Sequence, residues 1–167
     1  MATGDIKVYQ DNGTTFDETT LQAATATLTN KKHQIADTLG TDHTADGITM
    51  TATAGEAFVF GECGYLKSDG KVWKGDADGT ATYPVAVMAI ASISANAAGE
   101  FLLIGKARDD SWSWTVGGLI YISTTAGELT QTMPTAQDNV VQVVGIAFPN
   151  ADTILFGVNL NYMIRNA

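Results

Sequence analysis

Residues with the makings of chemistry are few in this chain and lie far apart. Asp76-Ala77-Asp78-Gly79 starts as a calcium loop starts, with carboxylates two apart and a glycine turn that would swing oxygens towards one ion. The further oxygen ligands and closing glutamate of such a loop are missing, because Thr80-Ala81-Thr82-Tyr83-Pro84 follows. Asp and Gly build acidic turns without any metal, and an ordinary turn is the reading. His33 and His43, with Asp37, Asp42 and Asp46 nearby, carry the ligand types of a metal or acid–base group. They keep no HExxH-like register and fall in the least regular part of the chain, so they read as solvated loop residues.

Cys63 would be a nucleophile only beside a histidine, and no family-type signature flanks it in Gly61-Glu62-Cys63-Gly64. A small buried side chain is the expectation. Asp109-Asp110, just before Ser111, reads as a turn rather than as a glycosidase pair. There is no G-x-S-x-G elbow, no Walker loop and no dinucleotide fingerprint. The chain is therefore expected to be no enzyme, with no catalytic residue, no cofactor and no metal.

The most informative local feature is Ser111-Trp112-Ser113-Trp114-Thr115. Residues two apart in a strand point to one face, so Trp112 and Trp114 form an aromatic pair flanked by small polar residues. Such a pair could stack on the rings of a glycan. It could equally fill a core or anchor a subunit interface, where tryptophan is enriched.

The elements that must position these residues read as strands. Four hairpins follow one another: residues 56–66 with 71–74 across Ser68-Asp69-Gly70, and 84–94 with 100–107 across Asn96-Ala97-Ala98-Gly99. Next come 119–122 with 129–132 across Thr125-Ala126-Gly127, and 140–148 with 153–163 across Pro149-Asn150-Ala151-Asp152. Together they predict an all-β domain over residues 54–167, an antiparallel sandwich or barrel. Residues 1–53 are expected to be an N-terminal hairpin (5–19) and an extended arm, with a weak helical pattern over 32–39. The runs 85–91 and 140–147 are apolar on both faces, which means strands covered twice within the chain or strands whose outer face meets another subunit.

Composition bounds the partners. In 167 residues, 9 Lys and Arg stand against 18 Asp and Glu, a net charge of −9 that repels phosphate backbones and anionic membranes. Neither nucleic acid nor membrane is an expected partner, and no apolar run approaches the ~20 residues that span a bilayer. The lone cysteine excludes an intrachain disulfide framework, and no signal peptide is visible at the N-terminus, so synthesis in a cytoplasm is expected. With only 16% charged residues, threonines such as Thr49, Thr51 and Thr53 must cover much of the exterior. A sparsely charged, threonine-rich surface suits a chain that other subunits cover.

The C-terminal half resembles a family of tailed-phage virion proteins that includes head decoration (cement) proteins, head fibres and fibre-like tail modules. The resemblance rests on Gly118-Leu119-Ile120-Tyr121-Ile122-Ser123-Thr124-Thr125-Ala126-Gly127, a polar spacer with Pro134, Val141-Gln142-Val143-Val144-Gly145-Ile146-Ala147, and Thr153-Ile154-Leu155-Phe156. The opening Gly4-Asp5-Ile6-Lys7-Val8-Tyr9 is similar to the start of some of these proteins as well. These are packing and turn motifs without a catalytic residue. The resemblance implies a β-structured homotrimer of the virion, made in the host cytoplasm, and its motifs do not encode head or tail. The short chain, the acidic surface and the arm-like Ala/Thr segment point to a decoration protein on the outer surface of the head, with the major capsid protein as partner. The alternative is a tail-fibre or receptor-binding module that recognises a host surface glycan through Trp112 and Trp114.

Overall fold

Short apolar runs punctuated by Gly-, Asn- and Asp-containing turns fold residues 34–165, the part of the chain that the computed structural model describes, into eleven strands and no helix. They are β1 (Thr44–Thr53), β2 (Cys63–Leu66), β3 (Val72–Lys74), β4 (Val87–Ala89), β5 (Ala98–Arg108), β6 (Leu119–Ile122), β7 (Leu129–Thr130), β8 (Val140–Val141), β9 (Val143–Ala147), β10 (Thr153–Gly157) and β11 (Met163–Ile164). Nine form one strongly curled antiparallel sheet, a half-barrel, in the order β3-β2-β4-β5-β10-β9-β6-β7 with β1 added on β5; β8 and β11 pair separately. All four expected hairpins are present as antiparallel pairs.

The long strand β5 is the axis. β1 pairs along its whole length, while β4 meets it at Phe101 and Leu102 and β10 from Ile104 to Arg108. At the β1–β5 crossing the two backbones approach so closely that glycine is required on both: a Cβ on Gly47 would lie 2.1 Å from the Ile104 carbonyl oxygen, and one on Gly105 2.2 Å from that of Asp46. Residues 44–53, assigned to the arm on sequence grounds, are thus part of the sheet. Their Ala/Thr-rich sequence hides a strand whose Met50 and Ala52 pack on the core while threonines alternate with them. Residues 34–39 form no helix; they run as irregular chain with their carbonyls gripped from β5. Lys106 Nζ donates to Ala36 O (2.9 Å) and Asp37 O (2.7 Å), and Arg108 Nη1 to Leu39 O (2.8 Å). The hairpin expected over residues 5–19 lies outside the described residues.

Two cores flank β4. Val87 and Ala89 join Phe58, Val72, Ile93 and Phe101 on one face, whereas Met88 joins Leu102, Ile120, Ile122, Val144, Ile154 and Phe156 on the other. The first doubly apolar run is therefore covered twice inside one chain. The second behaves differently: Val140, Val144 and Ala147 are buried while Val141, Val143 and Ile146 look outward, half-exposed. Gln142 divides that run into β8 and β9 and is fully buried, its amide pairing with both the N–H (2.9 Å) and the carbonyl (2.8 Å) of Val85 like a rung of sheet.

The curl carries one end of the sheet round to the other. The Gly127 N–H donates to Gly75 O (2.7 Å), the Cys63 N–H to Gly127 O (2.8 Å) and the Ala77 N–H to Ser123 O (2.8 Å), so the β2–β3 end is stitched to the β6–β7 turn without regular strand pairing. The candidate site lies on this seam.

Candidate functional site

Trp112 and Trp114 sit in the connection from β5 to β6, which is an extended loop rather than the expected strand, and its turns are fastened by hydrogen bonds. Asp109 opens it as an Asx turn, its Oδ1 accepting from the Ser111 N–H (2.8 Å), and the Trp112 N–H donates to Asp109 O (3.0 Å). The Trp114 N–H donates to Ala151 O (2.8 Å), and the Gln131 side chain clasps the Thr115 backbone from both sides (2.7 and 2.9 Å). Arg108 Nε pairs with Asp110 (2.8 Å) and Asp152 (3.1 Å), tying the loop base to the β9–β10 turn. Those carboxylates hold the Arg108 guanidinium above its ordinary pKa, Asp110 most of all through its hydrogen bond.

This bracing keeps both indoles on one side, as the two-residue spacing predicted. Their ring centroids lie 5.9 Å apart at 50°, both half-buried against the core, and the row continues through Phe60 (6.4 Å from Trp112) to His43 (5.0 Å from Phe60). Gly61, at φ +83°, makes room for Trp112: a Cβ there would stand 2.8 Å from Cζ2 of the indole. Along the seam the pair borders a cleft of about 260 Å³ lined by Gly61, Glu62, Trp112, Trp114, Gly127, Glu128 and Leu129. Glu62 is fixed by Lys74 Nζ (2.7 Å) and by the Val59 N–H (2.8 Å), whereas the exposed Glu128 side chain makes no hydrogen bond or ion pair among the described residues. The Trp114 Nε1–H is buried without an acceptor among the described residues. Both glutamates follow a glycine with φ above +80°. The sequence does not single them out, because Gly-Glu stands at 55–56 and 99–100 as well as at 61–62 and 127–128.

His43 is not a free loop residue. Its Nδ1 lies 3.1 Å from Asp42 and its Nε2 3.3 Å from Asp109, so a carboxylate flanks each ring nitrogen; Asp109 is the partner that spacing did not reveal. Asp42 also accepts from the Asp110 N–H (2.8 Å), the chief cause of its lowered carboxyl pKa, and so ties the start of β1 to the tryptophan loop. Asp42, His43 and Asp109 are the one group of three or more metal-type side chains among the described residues. Asp37 and Asp46 are not in it, and His33 lies outside the described residues. Asp76 and Asp78 form an acidic turn, the Asp78 N–H donating to Asp76 Oδ1 (3.1 Å), with no third ligand gathered among the described residues. Burial, then the hydrogen bond and charge of Asp78, push the Asp76 carboxyl up. Cys63 is buried, and burial drives its thiol well up, which leaves no thiolate for nucleophilic attack.

A second surface lies on the opposite face of the sheet from the core. Cross-strand partners share a face, and Ile48–Ile104, Leu155–Ile146 and Ile146–Leu119 line up there. Ile48, Ile104 and Leu119 are 55%, 46% and 46% exposed. A shallow apolar groove of about 320 Å³ runs between Ile104, Val143, Ile146, Leu155 and Gly157. Lys106, the one cation in this part of β5, is buried and turned to backbone carbonyls. Comparison of the chain with protein-family models, with curated proteins and with solved structures finds no match.

Proposed function

We propose that this chain is a non-enzymatic structural protein of a tailed-phage virion, a decoration or cement protein that binds the outer surface of the head as a symmetric oligomer, a trimer, and stabilises it. The observation that carries this reading is the apolar outer face of the sheet, Ile48, Ile104, Leu119, Ile146 and Leu155, with the exposed Leu160 and Met163 of the C-terminal segment. Isolated exposed apolar side chains are ordinary, but a contiguous stripe is what subunit interfaces present. Burying it gains roughly 25 cal/mol per Å², and a standard interface takes about 800 Å² from each partner. The net charge of −9 favours the outside of a shell over the genome side. The resemblance of the C-terminal half to virion proteins supplies the particle, and the major capsid protein is the second partner.

Labelling this chain on purified virions and imaging them tests the proposal. Label distributed over the head lattice is the expected result, and label confined to the tail tip overturns the head assignment. Virions lacking the chain are expected to lose heads at lower temperature or after milder loss of divalent cations than intact ones.

A further inference from the structure

We propose that the seam cleft between Trp112, Trp114, Glu62 and Glu128 is a binding site for a neutral pyranose sugar. This stands apart from the decoration role, because the cleft lies on the tryptophan side of the molecule and shares no residue with the outer apolar groove.

Four features converge on a sugar. A pyranose has an apolar C–H face and a rim of hydroxyls, and the cleft offers half-buried indoles for the one and carboxylates for the other. Carboxylate acceptors make strong, short hydrogen bonds to hydroxyl donors, and Glu62 is already held in place by Lys74 and the Val59 N–H, so little ordering is lost on binding. The Glu128 side chain, exposed and free of hydrogen bonds and ion pairs among the described residues, provides a second acceptor in the same wall. A volume of about 260 Å³ falls below the ~300–1,000 Å³ of drug-sized pockets and suits one ring rather than a long chain. Glu62 is charge-paired with Lys74, so it is the unpaired Glu128 carboxylate that disfavours uronic acids relative to neutral hexoses.

The test uses the full chain labelled with ¹⁵N. Its three tryptophans give three indole N–H signals, and Trp73, whose Nε1–H donates to Asp69 and which does not line the cleft, is an internal control. Titration with the methyl pyranosides of glucose, galactose and N-acetylglucosamine, with methyl glucuronide and with choline, is expected to move the Trp112 or Trp114 signal saturably for at least one neutral glycoside while Trp73 stays still. Glu128→Gln, at an exposed side chain with no hydrogen bond or ion pair to lose among the described residues, is expected to weaken that binding about tenfold with the rest of the spectrum unchanged. No saturable shift with any neutral glycoside overturns the proposal. So does a response to choline alone, which would make the cleft a cation–π cage, or an affinity that Glu128→Gln leaves unaltered.

Discussion

At the scale of single residues, two buried or crowded polar groups show how the chain holds itself. Gln142 stands in for a missing strand residue by bonding both backbone groups of Val85. Replacing it with leucine keeps the volume and leaves that N–H and carbonyl buried and unpaired, so Gln142→Leu should cost about 2–4 kcal/mol in denaturant unfolding. Asp76 is the opposite case, a carboxylate the fold tolerates rather than needs. Its raised pKa, caused first by burial and then by Asp78, means the folded protein binds that proton more tightly than the unfolded chain does. Its contribution therefore improves as pH falls through the raised value and is unfavourable above it. Asp76→Asn keeps an acceptor for the Asp78 N–H and removes the charge. Thermal melts should show the variant more stable than the parent at pH 7, with the gap narrowing as the solution is acidified.

At the scale of elements, the hairpins were legible because each is local: an apolar run, a glycine or asparagine turn, a second run. Gly70 and Gly127 adopt the left-handed conformation their turns required. What sequence could not show was nonlocal. β1 went unread because alternation of threonine with Met50 and Ala52 is a weak apolar signal that only β5 makes meaningful. The Trp112–Trp114 pair was visible as a pair, yet its surroundings come from residues some fifty positions upstream and fifteen downstream, joined by the curl. Asp109 was seen as part of a turn, and its approach to His43 depends on β1 lying along β5. The seam glycines are testable in the same terms. Gly61→Ala would combine a left-handed φ with a methyl 2.8 Å from Trp112, and should lower stability by about 1–3 kcal/mol while shifting the Trp112 indole signal more than that of Trp73.

At the scale of the whole molecule, the two sides of the sheet do different work: one is stitched into a cleft, and the other keeps an exposed apolar stripe, Ile48, Ile104 and Leu119, beside the part that residues 36 and 37 cover at Lys106. If the outer face is where copies meet, a charge placed on it should separate them without unfolding them. Leu155→Lys is expected to turn the assembled species into monomers in light scattering, with a far-ultraviolet spectrum like the parent's and a melting temperature lower by the stability the interface supplied. The division into two cores has a further effect, on the order of synthesis. Among the described residues, the core of Phe58, Val72, Val87, Ala89, Ile93 and Phe101 draws on nothing beyond Leu103, so it is complete when little more than half the chain has left the ribosome. The face of β4 that carries Met88 waits for Ile120, Val144, Ile154 and Phe156. A chain stalled or cut between these points is a half-covered strand layer with its apolar side bare, the kind of intermediate that aggregates. A cell that makes many copies of such a chain would then feel premature termination as a load on its chaperones.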